Sequence, residues 1–431
     1  MQLIDFPPEI IQAILLLCDA LDVASVAQTC RFLHALIYHA EDDALWRGLY
    51  LAQPLDDPRM CKDYLEEKVA PTDWARQLQR FTRARQVIRK GESVGRPGEL
   101  KQILQTMIDL VSYTPTKGPQ SEVSKNLSMA QYLLGDGWID FLESEEVPRT
   151  LDEEEIKLVS RLHTYYGLTP QDIDKAKRFK SRSFVYNMAN YHFDNEFGPF
   201  DDQGNIDWVH VNAIRHTMCA KLLLNAFGGN ESELVASGVQ YSLYPLSLPF
   251  IQPLQMNDNA EAASSDWAGV QGSWMVSFCF CDHRELLQNM NKIDGPGFPS
   301  PSLFTEDSFY DIYRCLQFEI KVTAVEHDAN YPTRPTIRFV GIMEGAVEQT
   351  LVGTVRAADD GHARWRFVSG ESGNSVWSSH GVQIGGIRSE YGVLGSWSTV
   401  FHDPDDPIGP FWMRKVPPTE HIPNHGEEVS S

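Results

Sequence analysis

The chain has 431 residues, more than one ordinary core accommodates, and its 42% hydrophobic and 11% aromatic content is that of a folded protein. A net charge of -22 and a pI near 5.0 repel phosphate backbones, which argues against nucleic acid as a partner. Seven cysteines without framework spacing, acids ahead of the first apolar run, and no stretch of membrane-spanning length point to an intracellular protein, cytoplasmic or nuclear, with no membrane partner.

In the opening segment Glu9 stands where a helix dipole favours a carboxylate, and Ile10, Ile11, Ile14 and Cys18 recur at helical steps. Leu15 and Leu17 widen that stripe. Asp22 is placed to cap a second short helix through Val26, and a third runs from near Thr29 to Tyr38 with Phe32, Leu33, Leu36 and Ile37 apolar. So small a unit, apolar on more than one side, needs cover from another domain or another protein. The pieces Phe6-Pro7-Pro8-Glu9-Ile10-Ile11, Ile14-Leu15, Asp19 to Asp22, Cys30-Arg31 and Leu45-Trp46 follow the order and spacing of an F-box, which residues 1–50 resemble. Phe6 stands where that family usually has leucine. The resemblance implies docking onto a Skp-type adaptor and, through it, onto a cullin carrying a RING subunit. It implies Leu3, Phe6, Pro7, Ile10, Ile11, Ile14, Leu15, Cys30, Arg31, Leu33, Leu36 and Trp46 as the adaptor contacts.

Residues 51–250 read as a helical linker domain. Thr72-Asp73-Trp74 opens a long amphipathic stretch toward Lys90, whose cations Arg76, Arg80, Arg83, Arg85, Arg89 and Lys90 form a solvated face or a strip for an acidic partner. Thr150-Leu-Asp-Glu153 reads as a capping box, Thr169-Pro170 opens a further helix, and Asp207 caps one that Gly228–Gly229 can end. Ser181 to Tyr186 and Asn195 to Phe200 resemble segments of fungal F-box proteins. Tyr186, Tyr191, Phe193 and Trp208 are expected to fill the helical core or to line a groove shared with the last domain.

From about Trp267 the period changes to two. Trp274, Val276, Phe278 and Phe280 alternate with Met275, Ser277, Cys279 and Cys281, and Phe318, Ile320 and Val322 alternate with polar residues. Further runs at 337–343, 351–357, 363–368 and 382–400 make residues 265–416 an antiparallel barrel or sandwich, with Gly385–Gly386 expected at a bend within a strand. The closing pattern, ending in Gly409-Pro-Phe-Trp412, resembles calycin-like barrels. Residues 417–431 read as a flexible acidic tail. The expected fold class is therefore multidomain α+β: a three-helix F-box, a helical middle and a C-terminal antiparallel barrel or sandwich.

No motif carries a convincing catalytic reading. Gly91-Glu-Ser93-Val-Gly95 fits a nucleophile elbow, but Arg96-Pro97-Gly98 follows where a helix should. Cys279, Cys281 and His283 lack the second pair that zinc wants, and His402 to Asp406 lacks calcium-loop spacing. The sequence implies no metal and no cofactor. The expected activity is that of a non-catalytic substrate receptor of a ubiquitin ligase, holding an unknown protein substrate on the barrel. Its candidate contacts are Trp274, Gln317, Glu319, Trp365, Trp377, His380, Gln383, Trp397, His402 and Trp412. The second reading is a barrel that binds a small molecule or lipid, its F-box controlling only turnover or location.

Overall fold

Pro7 and Pro8 open the first helix because a first-turn residue needs no N–H partner. In the computed structural model this helix, α1, spans Pro8–Leu15. The structure describes residues 3–40, 42–61, 73–90, 97–118, 123–139, 151–226, 246–255, 266–290, 311–343, 351–371 and 374–416. Helices α2 (Ala20–Ala27), α3 (Arg31–Tyr38) and α4 (Ala44–Leu51) follow. The cap of α2 is Asp19, accepting from the Leu21 N–H, not Asp22, which lies in the first turn. Ile11, Leu15, Val23, Leu33, Ile37, Leu45 and Leu49 are buried, and the buried Trp46 indole donates to the Ile37 carbonyl at 2.8 Å.

By contact the chain divides into two compact units, Met1–Thr169 with Tyr241–Gln255, and Pro170–Gln240 with Met256–Ser431. The helical middle read from the sequence is thus shared between them. The first unit continues with α5 (Trp74–Lys90), α6 (Glu99–Ser112), α7 (Lys125–Leu133) and α8 (Glu153–Tyr166). Four cations of α5 are paired within this unit: Arg80 with Asp109, Arg83 with Glu99, Arg85 with Asp19 and Arg89 with Asp136, while Arg76 and Arg89 are exposed. The capping box of α8 is Asp152 with Glu155, two residues beyond the expected Thr150 with Glu153. The elbow-like Gly91–Gly95, Gly228–Gly229 and the tail 417–431 lie outside the described residues.

A buried polar node ties this unit together. Asp56 accepts from the Ser124 hydroxyl and from the Lys125 and Asn126 amides at 3.0 and 3.1 Å, while its own N–H donates to Asn126 Oδ1 at 2.9 Å. The carboxylate therefore serves the orphan N–H groups that open α7. Asp56→Ala strands several buried donors, so the unfolding free energy of the full chain should fall by about 3 kcal/mol in a urea titration.

The second unit contains α9 (Lys175–Val185) and α10 (Trp208–Ala226). Pro170–Ile173 is a single 3-10 turn, not the start of α9, whose cap is Asp174. Helix α10 is buried nearly all round. It buries Val211, Ile214 and Met218 together with His210, Arg215, His216 and Thr217, and Arg215 donates to Asn212 Oδ1 and lies 3.8 Å from Asp172. Tyr186 is fully buried, but it joins Met188, Leu286 and Ile408 beside the barrel, and Phe193 is 83% exposed, so these aromatics do not form one helical core.

Eight antiparallel strands close into a barrel, each paired with its neighbour in sequence and the last with the first. They are β1 (Gly272–Phe280), β2 (Ile312–Glu326), β3 (Thr336–Met343), β4 (Leu351–Ala357), β5 (Ala363–Glu371), β6 (Asn374–Gln383), β7 (Val393–Thr399) and β8 (Gly409–Lys415). A helix, α11 (His283–Met290), follows β1. Closure comes from β1 pairing β8, with Val276 opposite Met413 and Phe278 opposite Phe411. The expected run 382–400 is really the end of β6, a turn, and β7. Gly385, at φ +78, sits in that turn rather than at a strand bend, because a left-handed backbone is what reverses the chain there.

Candidate functional site

Among the described residues, two places present apolar surface with a definite geometry, one in each unit. On the first, Ile10 and Ile14 are 47% and 40% exposed, and Leu17 just beyond α1 is 89% exposed. Their i, i+4, i+7 spacing puts them on one face. Leu3, Ile4 and Phe32 are exposed too, as are Pro7, Cys30 and Arg31, while Phe6 and Leu36 are half-buried. Ile11, Leu15, Leu33 and Trp46, expected among the adaptor contacts, are instead buried within the helices. They position the exposed face and offer no surface themselves. Ile4, Leu17 and Phe32 were legible as apolar residues, but eight-residue helices with two greasy sides do not reveal which side faces out.

On the second unit, the described residues plug one end of the barrel and leave the other end uncovered. Trp267, Trp274, Trp365 and Met413 fill the plugged end, with Trp274 and Trp365 in edge contact at 5.1 Å. The Trp365 indole donates to Gln383 Oε1 at 3.2 Å, and Trp274 donates to the Val270 carbonyl. Trp274, Trp365 and Gln383, expected as substrate contacts, are therefore packing residues of that plug. Gln317 and Glu319 lie on the outer wall because Phe318 and Ile320 take the inward parity of β2. Trp412 faces outward for the same reason, donating to the Tyr391 carbonyl at 2.8 Å.

The open end holds a cavity of about 510 Å³. Of the expected contacts, Trp377 and Trp397 line it, their rings meeting edge-on at 5.2 Å. Residues not anticipated complete the lining, among them Phe278, Arg314, Leu316, Phe367 and Ser379. The parity of β1 already placed Phe278 with Trp274. Arg314 escaped notice because β2 begins at Ile312, ahead of the alternation recognised from Gln317. Opposed glycines, Gly381 and Gly395, stay small because the Phe411 ring lies against both.

His380 and His402 belong to the outside of the barrel, under a loop at 191–207. There Glu196 and Phe197 hold left-handed backbones at φ 56, a strain of about 1–3 kcal/mol each. Glu196 pairs with Arg356 and Arg366, Ser396 Oγ donates to the Phe197 carbonyl at 3.1 Å, and Phe197 stacks on His402 at 3.8 Å. Burial pulls His380 down to about 3, with Arg366 and His402 adding to the effect, and burial pulls His210 on α10 down to about 4. Both imidazoles are thus neutral in the fold and bind protons when it opens. Stability from these groups is present above the ordinary value of 6.5 and drains away below it, by about 1.4 kcal/mol per pH unit each. Lowering the pH from 7 to 5 should cost roughly 4 kcal/mol together, and His380→Asn should flatten the slope of unfolding free energy against pH by about half.

Burial pushes the Cys279 and Cys281 thiols far above the usual range. The strand ends at Phe280, so His283 does not share its face. His283 instead contacts the Asp405 carbonyl, and no cluster of potential metal ligands occurs among the described residues. Nor does any helix there have the length and apolarity to cross a membrane.

Residues 3–52 match the F-box-like family model. An F-box-like domain therefore opens the chain and a closed eight-stranded barrel stands in its C-terminal part. No curated protein and no solved structure matches the chain.

Proposed function

We propose that the protein is the substrate receptor of an SCF-type cullin–RING ubiquitin ligase. The F-box-like match, carried on helices whose Ile10, Ile14 and Leu17 face is left uncovered by the described residues of its own unit, is the observation that supports it. A Skp-type adaptor would cover that face, and the adaptor would connect to the cullin. The barrel mouth around Trp377 and Trp397 would take the protein substrate, since apolar aromatic surface at an open end is where recognition energy concentrates. The contribution is proximity: a held substrate meets the ubiquitin-carrying enzyme at raised effective concentration, with no chemistry asked of this chain. The site of action would be cytoplasm, nucleus or both.

The test is affinity purification of the full chain from cells alongside a form carrying Ile10→Asp and Ile14→Asp. Adaptor and cullin should accompany the first and be missing from the second. Equal recovery of both partners with the altered form would overturn the assignment.

A further inference from the structure

The barrel cavity is larger than packing requires and is aimed at one end. Five phenylalanines and two tryptophans line it. Filled with solvent, about 510 Å³ would hold roughly 17 waters at about 30 Å³ each, and each water needs two to four polar partners. The polar lining is confined to Arg314, Ser369, Ser379 and His283. Most such waters would be poorly bonded, so an apolar body displaces them readily. The volume falls within the range of small-molecule sites, about 300–1,000 Å³.

Three polar side chains of the lining, Arg314, Ser369 and Ser379, have no partner among the described residues. Arg314 takes the inward parity of β2, opposite Phe278, and makes no ion pair or hydrogen bond there. Ser379, only 5% exposed, points inward from β6 opposite Phe367 and Trp397, and its hydroxyl is likewise unbonded. Three strands lie between β2 and β6 on either side of the closed order, so the two stand on opposite walls. Arg314 is exposed where it borders the cavity, and in a chain of net charge -22 a cation with no ion pair at that border suits a negative group on an entering molecule. An extended peptide is disfavoured inside the cavity, because a closed barrel offers no free edge for strand addition. The proposed protein substrate would meet the exposed rim at Trp377, leaving the interior to a small molecule.

We infer that this cavity is a binding site for a small, mostly apolar molecule with one anionic end. Arg314 holds the anionic group, and Ser379 hydrogen-bonds a second polar atom. The inference does not depend on adaptor docking. Isothermal titration of the full chain with dodecanoate and with dodecanol, below micelle-forming concentrations, tests it. One saturable site is expected, with dodecanoate about tenfold tighter. Arg314→Gln should erase that preference while leaving dodecanol binding within about twofold. Ser379→Trp, which fills the cavity, should abolish both. Should Ser379→Trp not fold, Ser369→Phe at the same cavity is the substitute, its fold verified by circular dichroism. Absence of a saturable site, equal affinity for the two probes, or binding indifferent to the substitutions would each overturn the inference. Adaptor binding measured on the same preparations separates such a failure from failure of the ligase reading.

Discussion

Placing carboxylates at Ile10 and Ile14 should weaken adaptor binding at least about 1,000-fold while leaving the thermal transition of the chain nearly unchanged. Both residues are more than a third exposed, so a charge there meets water in the free protein. In the proposed complex it would be buried without a partner, at about 2–5 kcal/mol each. About 1.4 kcal/mol is a factor of ten, so two such charges, about 4–10 kcal/mol together, match or surpass the stated loss. Ile11→Asp provides the contrast. Ile11 has no exposure, and a carboxylate there faces the packed interior of the helices, so this variant should lose its fold before it loses a partner. Surface titration of adaptor against each variant, with circular dichroism melts in parallel, separates the two behaviours.

The barrel yields the second large contrast. Trp365→Ala should cost about 3–5 kcal/mol, since the ring is fully buried, meets Trp274 edge-on and leaves Gln383 without its donor. Trp377→Ala should cost under about 1 kcal/mol, because that ring is 39% exposed at the mouth. Substrate capture should respond the other way, falling at least about tenfold for Trp377→Ala in a protein that remains folded. Chemical denaturation measures the first effect, and quantitative comparison of captured proteins measures the second. A Trp377→Ala chain with an undiminished set of captured proteins would remove the mouth from the substrate-binding reading.

Much of this architecture is written locally in the chain. The apolar pairs and the Leu45–Trp46 close identify the opening helices because their spacing is set by helix geometry over a few residues. The two-residue period of Trp274 to Phe280 identifies a strand and even its inward side. What local pattern cannot carry is closure. The pairing of β1 with β8 joins residues more than a hundred positions apart, and only that contact distinguishes a barrel from a sandwich. The same limit explains the misplaced contacts. A tryptophan at the plug and a tryptophan at the mouth look alike in sequence, because inward parity is shared by Trp365 and Trp377 while depth along the axis is not encoded in alternation. Gly385–Gly386 misled for a related reason: glycine marks either a bend or a turn, and the hydrogen-bond partners across β6 and β7 decide which. The clasp of Glu196 on Arg356 and Arg366 spans about 160 residues and was invisible to any window.

The most direct test asks whether something outside this polypeptide grips its first helices. Purified full-length chain and a purified Skp-type adaptor should elute together as a one-to-one complex in size-exclusion chromatography with light scattering, and the Ile10→Asp, Ile14→Asp form should elute alone. Two separate peaks for the unaltered, folded chain would contradict the account.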